Sequence, residues 1–219
     1  MVEIIRQFLN EEMMAFEFDD IIFNIFDKSD DPVVIYTVNQ LWHFYDDCKD
    51  HKVALNKGAW DYINRLILLL ESDGQIIIDN SRRWRFTQLL AFLGLLFFCV
   101  CIAVSGFGEH LLIVTVPLGV LSFVITWIRD KSEPVLSKNE LALIPFKSRS
   151  EILALRRKLP DFEKVKYSCT LKNNPIRSPF FEKFLNCYWR VVWLMLSPLA
   201  LLYQSFPSKN EVAHIIMPA

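Results

Sequence analysis

Apolar and polar positions alternate at helical spacing over the first 80 residues, and the alternation then gives way to unbroken apolar runs. Ile4, Ile5, Phe8 and Leu9 fall on one helical stripe. Met13, Phe16, Phe18, Ile21, Ile22, Ile25 and Phe26 predict a second helix, interrupted near Asp19-Asp20. Asp31 suits an N-cap and Pro32 a first helical position, where a missing N–H costs nothing. Val34, Val38, Leu41, Tyr45 and Cys48, widened by Trp42, predict a helix running through residue 48. Asn56 can cap a fourth, with Trp60, Ile63, Ile67 and Leu70 as its apolar face and Asp73-Gly74 as its end. Gln75 to Asp79 reads as a short β-type run.

The centre of the chain is different in kind. Phe86 to Val104 holds no charge, and twelve of its nineteen residues are Leu, Ile, Phe or Val. At 1.5 Å per residue it reaches roughly 28 Å, close to the thickness of a bilayer's hydrocarbon. Leu111 to Ile128 is a second such run, with Pro117 and Gly119 inside it. A soluble core helix keeps a polar stripe, and these runs have none, so the pair predicts a transmembrane hairpin turning at residues 105–110.

In the tail, Ser148 and Glu151 form a capping-box pattern that opens a helix ending before Pro160, with Ile152, Leu155 and Leu159 on one side and Arg156, Arg157 and Lys158 on the other. A loop with Pro175 and Pro179 leads to a last apolar run, 191–206, divided by Pro198 and bounded by aromatic residues. Its length suits an interfacial or re-entrant segment better than a third crossing. The predicted fold is mainly α. It comprises an acidic helical cytosolic domain (1–80), a transmembrane hairpin (81–131, with spans 86–104 and 111–128) and a basic cytosolic tail (132–219) carrying the membrane-associated segment.

Charge sharpens this picture. The net charge is −1, yet residues 1–80 carry sixteen acidic and six basic side chains, whereas residues 129–219 carry fifteen basic and eight acidic ones. The acidic head argues against DNA binding, which needs clustered cations to displace counterions. The basic tail could meet RNA, but anionic lipid is the simpler partner for a chain already in the membrane. Arg82, Arg83 and Arg85 precede the first span, and Trp127, Arg129 and Lys131 end the second, while the turn between them has no Lys or Arg. The positive-inside rule therefore places both termini in the cytosol, with these residues and Arg156, Arg157 and Lys158 at the membrane interface. No basic n-region followed by an apolar run opens the chain, so no signal peptide is expected. The five cysteines form no CxxC pair, and neither a zinc knuckle nor a disulfide framework is expected.

Candidate chemistry is sparse. If the third helix continued, His43, Asp47 and His51 would stand at i, i+4 and i+8 on one face, as metal ligands do. Three ligands crowded by Lys49 and Lys52 fit a solvated helix face better, and neither metal nor cofactor is expected. The paired acids Asp19-Asp20, Asp30-Asp31 and Asp46-Asp47 point in different directions on a helix. No P-loop, G-x-G-x-x-G, G-x-S-x-G or H-E-x-x-H pattern occurs. The chain is not expected to be an enzyme.

At residues 32–70 (Val38, Leu41-Trp42, Tyr45-Asp46-Asp47, Asp50-His51, Trp60-Asp61, Leu68-Leu69-Leu70) and at the hairpin, the chain resembles the two-transmembrane effector proteins of bacterial retron antiphage systems. That resemblance implies an inner-membrane effector of abortive infection, restrained by a reverse transcriptase with its noncoding RNA–DNA product. Homo-oligomers joined through Gly94, Ala103, Gly119 and Ser122 are a further expectation. A membrane immunity protein and a membrane adaptor are the alternatives.

Overall fold

A computed structural model describes residues 1–46, 48–72, 74–132, 142–167 and 176–216. It is mainly helical, and its elements are α1 (Val2–Leu9), α2 (Ala15–Lys28), α3 (Pro32–Leu41), a 3-10 turn (Trp42–Phe44), α4 (Lys57–Leu70), β1 (Gln75–Arg83), α5 (Phe86–Ser105), α6 (His110–Ser132), α7 (Arg149–Lys158), α8 (Pro179–Met195), α9 (Ser197–Ser205) and β2 (Ser208–Ile216). They form two compact units. One comprises Met1–Asp79, Leu136–Ile176 and Val212–Ala219, the other Asn80–Val135 and Arg177–Glu211.

The expected division into head, hairpin and tail is therefore corrected. The tail is not a domain: part of it completes the helical unit and part completes the membrane unit. Strands β1 and β2 pair as a two-stranded ribbon, with residues of each strand in both units. The β-type run extends to Arg83, and its partner strand, Ser208–Ile216, carried no comparable local signal.

In the helical unit the caps form where the side chains dictate. The Asp31 carboxylate accepts from the Val33 N–H at 2.8 Å, and the Asn56 side chain accepts from the Ala59 N–H at 2.9 Å. Helix α2 runs uninterrupted through Asp19-Asp20, because Phe18 and Ile22 bury one face while the acids occupy the other, where Asp19 accepts the Tyr45 hydroxyl. Phe8 stacks on Phe18 at 4.1 Å, and Tyr45 meets Phe18 edge-on. Around Trp60 gather Ile5, Leu41, Ile63, Leu66 and Ile67, all nearly solvent-free.

This core is not closed by residues 1–79. The Trp60 indole N–H donates to the Val165 carbonyl at 2.8 Å, the Asn64 side chain accepts from the Val165 N–H at 2.9 Å, and Arg65 donates to the Ile144 carbonyl at 2.7 Å. Phe146 and Leu155 pack with Leu68, Leu69 and Ile76. Residues 1–79 by themselves are thus an incomplete core.

In the membrane unit, α5 and α6 span Phe86–Ser105 and His110–Ser132, and both are long and apolar enough to cross a membrane. Most of their apolar surface faces outward, with Leu96 and Phe97 about half exposed and Ile113 about three-quarters. Ala91, Leu118, Ile125 and Leu201 make a small internal cluster. The last apolar run is larger than 191–206. Ser178 caps α8 by accepting from the Phe181 N–H, so the helix starts at Pro179; it breaks at Leu196, ahead of Pro198, and α9 leaves at an angle of 78°.

Candidate functional site: a polar seam inside the membrane unit

The outward surface of α5 and α6 carries Leu, Val, Phe and Ile, and Thr115 and Ser122 of α6 turn the other way. Ser122 is solvent-free and Thr115 nearly so. They meet α8 and α9. The Trp193 indole N–H donates to the Ser122 hydroxyl at 3.1 Å, and the Ser197 hydroxyl donates to the Thr115 carbonyl at 2.9 Å. The Gln204 amide donates to the Ser122 carbonyl at 3.2 Å and to the Thr126 hydroxyl at 3.0 Å. Hydrogen bonds of this kind hold membrane helices together where apolar burial cannot, since lipid is as apolar as leucine.

Close backbone approach completes the seam. A Cβ built on Gly119 would lie 2.4 Å from the Leu194 side chain and 3.2 Å from its Cα, and one on Gly94 would lie 2.8 Å from Leu121 and 3.2 Å from Leu201. These glycines and Ser122, expected to join one copy to another, are occupied within the chain. Ala103 alone of that set is exposed. One acceptor is left over: the Gln204 Oε1 is buried and has no partner among the described residues.

At one end of the seam the expected interface residues divide. Arg82 and Arg83 are exposed at the end of β1. Arg85 begins α5, where its backbone N–H donates to the Gln88 side chain at 2.6 Å, and Gln88 donates to the Phe206 carbonyl at 3.1 Å. Gln88 is thereby satisfied although buried. Trp127 is 57% exposed with the Lys131 ammonium 4.1 Å from its ring, a cation–π contact typical of a membrane–water boundary. Arg129 turns inward instead, donating to the Gln204 carbonyl and to the Thr87 hydroxyl. Arg156, Arg157 and Lys158 lie in the last turn of α7, which packs on the helical unit through Leu155.

The histidine array does not form. Helix α3 ends at Leu41 and the chain is extended at Tyr45, so the i, i+4, i+8 face is lost; Asp47 lies outside the described residues, as does Asp73. His43 is exposed. His51 is buried and both of its ring nitrogens are used: Nε2 accepts from the Asp46 N–H at 2.9 Å and Nδ1 meets the Lys52 carbonyl at 2.6 Å. It pins a loop whose Asp50 carboxylate accepts the Phe16 N–H at the start of α2, at 3.1 Å. Among the described residues no His, Cys, Asp or Glu cluster has the geometry of a metal site.

Sequence reasoning missed Trp193, Ser197 and Gln204 as partners of the hairpin. Their signal was faint: three polar groups in an apolar run, 71–82 residues from the groups they bond. No protein-family model, curated protein or solved structure matches this chain.

Proposed function

We propose that this protein is a non-enzymatic effector of the bacterial inner membrane, acting in antiphage defence by abortive infection. A cytosolic partner holds the helical unit in check, and the released membrane unit perturbs the bilayer. The resemblance to retron effectors nominates a reverse transcriptase with its noncoding RNA as that partner. The observation that carries the reading is the seam. The Ser122 and Thr126 hydroxyls and two close-packing glycines on one side of the hairpin are covered by the bent pair α8–α9. When the pair moves away, the same groups become a polar, closely packing face for other copies, and hairpins joined there would line a path through the lipid.

Expression without any partner is then expected to lower membrane potential and stop growth. Leu96→Arg should abolish the effect, because Leu96 faces lipid at mid-span and a charge there costs about 2.5–3.5 kcal/mol on the insertion scale. Unchanged potential and growth at full expression would reject the effector reading. The second reading, an immunity protein or adaptor, is favoured by the pairing of the seam within one chain, and it predicts normal growth.

The reading places both termini in the cytosol, since Arg82, Arg83, Arg85, Arg129 and Lys131 flank the outer ends of the spans. Alkaline phosphatase fused after Gly108 should be active, and a fusion after Asp79 inactive. An active Asp79 fusion would invert the topology.

A further inference from the structure

The helical unit is acidic overall, yet two of its clefts collect cations. One cavity of about 580 Å³ is lined by Phe44, Tyr62, Gln40, Asp61 and Arg65, among others. A second, of about 290 Å³, shares Asp61, Arg65 and Ala142 with it and adds Arg149, Arg156 and Lys164. The two chambers adjoin at these three shared residues, with α4 and residues of the segment 142–167 lining both and Gln40 and Phe44 added in the larger. Asp61 is the one carboxylate among the described lining residues, and Lys164 already pairs with it at 2.6 Å. Arg149 and Arg156 make no salt bridge among the described residues.

The groups are held in place. Arg65 donates through Nε to the Ile144 carbonyl, with its guanidinium carbon 5.7 Å from the centre of the Tyr62 ring. Arg156 stands 5.8 Å from the Phe162 ring. Tyr62 packs against Phe44 with ring centres 5.6 Å apart and donates its hydroxyl to Gln40 at 2.9 Å. Burial pushes the Tyr62 hydroxyl well above its ordinary range. The cleft thus offers an aromatic wall at one end, three guanidinium groups towards the other, and Arg65 common to both chambers.

We propose that this cleft binds a nucleoside polyphosphate, with its phosphates on Arg65, Arg149 and Arg156 and its base against Phe44 and Tyr62. Guanidinium forks match phosphate oxygens in geometry as well as charge. The larger volume lies in the range of small-molecule sites. Inorganic polyphosphate would leave the larger, aromatic chamber empty. A nucleic-acid strand would have to cross the surface of a head whose first 80 residues carry sixteen acids against six bases, which disfavours a long polyanion and spares a short one. The site is independent of the membrane reading, and its test reads binding alone.

The test is equilibrium dialysis of the full chain in detergent micelles against labelled ATP and GTP. Saturable binding of at least one of them at one site per chain is expected. Arg149→Ala and Arg156→Ala should each weaken it about tenfold, whereas Arg157→Ala, one residue away and outside the cleft, should leave it unchanged. Both arginines are exposed, so the variants should fold, as circular dichroism can verify. Phe44→Ala should weaken the nucleotide and leave tripolyphosphate unaffected. The proposal is overturned by absence of saturable binding of either nucleotide at millimolar concentration, or by binding indifferent to Arg149 and Arg156. Tripolyphosphate binding as tightly as the nucleotide would remove the nucleoside from the assignment. A twelve-nucleotide single-stranded RNA that binds the cleft and is not displaced by either nucleotide would overturn it in favour of a strand.

Discussion

Trp60→Ala should destabilise the helical unit by about 3–5 kcal/mol, the usual cost of removing a fully enclosed tryptophan. The ring is 1% exposed, packs edge-on to Tyr167 at 5.5 Å, and ties α4 to the Val165 carbonyl. Three losses therefore coincide: the volume of the indole, an aromatic contact, and a hydrogen bond that spans 105 residues of sequence. Hydrogen exchange on the full chain checks this, because α4 amides that open only on unfolding of the unit should exchange at least a hundredfold faster. Trp60→Phe separates the contributions. It keeps most of the ring and strands the Val165 carbonyl, at about 1–3 kcal/mol. If Trp60→Ala costs under about 1 kcal/mol, the segment 142–167 is not part of the core.

The second large effect is expected at Gly119. A leucine there would put its Cβ into the Leu194 side chain and against the Leu194 backbone, at 2.4 and 3.2 Å. A rotamer change relieves the first clash and not the second, so the last turn of α8 must move. Overpacking of this kind costs about 1–3 kcal/mol. Here it also pulls Trp193 away from Ser122 and Ser197 away from the Thr115 carbonyl. Gly119→Leu should therefore raise the exchange of α8 and α9 amides while α5 and the first half of α6 stay protected. Gly108→Ala is the contrast, since its Cβ would meet only the end of the exposed His110 side chain. Equal exchange in the two variants would mean that α8 is not seated on α6.

Much of the fold was legible in the residues because its causes are local. An uncharged apolar run long enough to cross a bilayer satisfies its backbone only as a helix, so α5 and α6 follow from composition and length. Asp31, Asn56 and Ser148 cap α3, α4 and α7 because each side chain reaches an N–H two or three residues on. Periodicity was a poorer guide wherever a contact overrode it. The stripe through Tyr45 and Cys48 continues the pattern of α3, but the helix stops at Leu41 because the Tyr45 hydroxyl is claimed by Asp19 and the Asp46 N–H by His51. With that stop the His43, Asp47, His51 face disappeared.

Local pattern and composition were enough to specify two membrane-length helices, the helical character of the first 70 residues, and an acidic head followed by a basic tail. Tertiary structure alone decided what the tail does. Residues 142–167 supply the carbonyls that Trp60 and Arg65 need, and α8 and α9 supply the donors that meet Thr115, Ser122 and Thr126. It also decided that the small residues of the hairpin are used within the chain and that Arg149 and Arg156 share a cleft with Arg65. These pairings join groups 71–105 residues apart. Nothing in either local pattern specifies the other, because each side chain would make an ordinary amphipathic or apolar segment with many partners, and only simultaneous packing of all of them selects one.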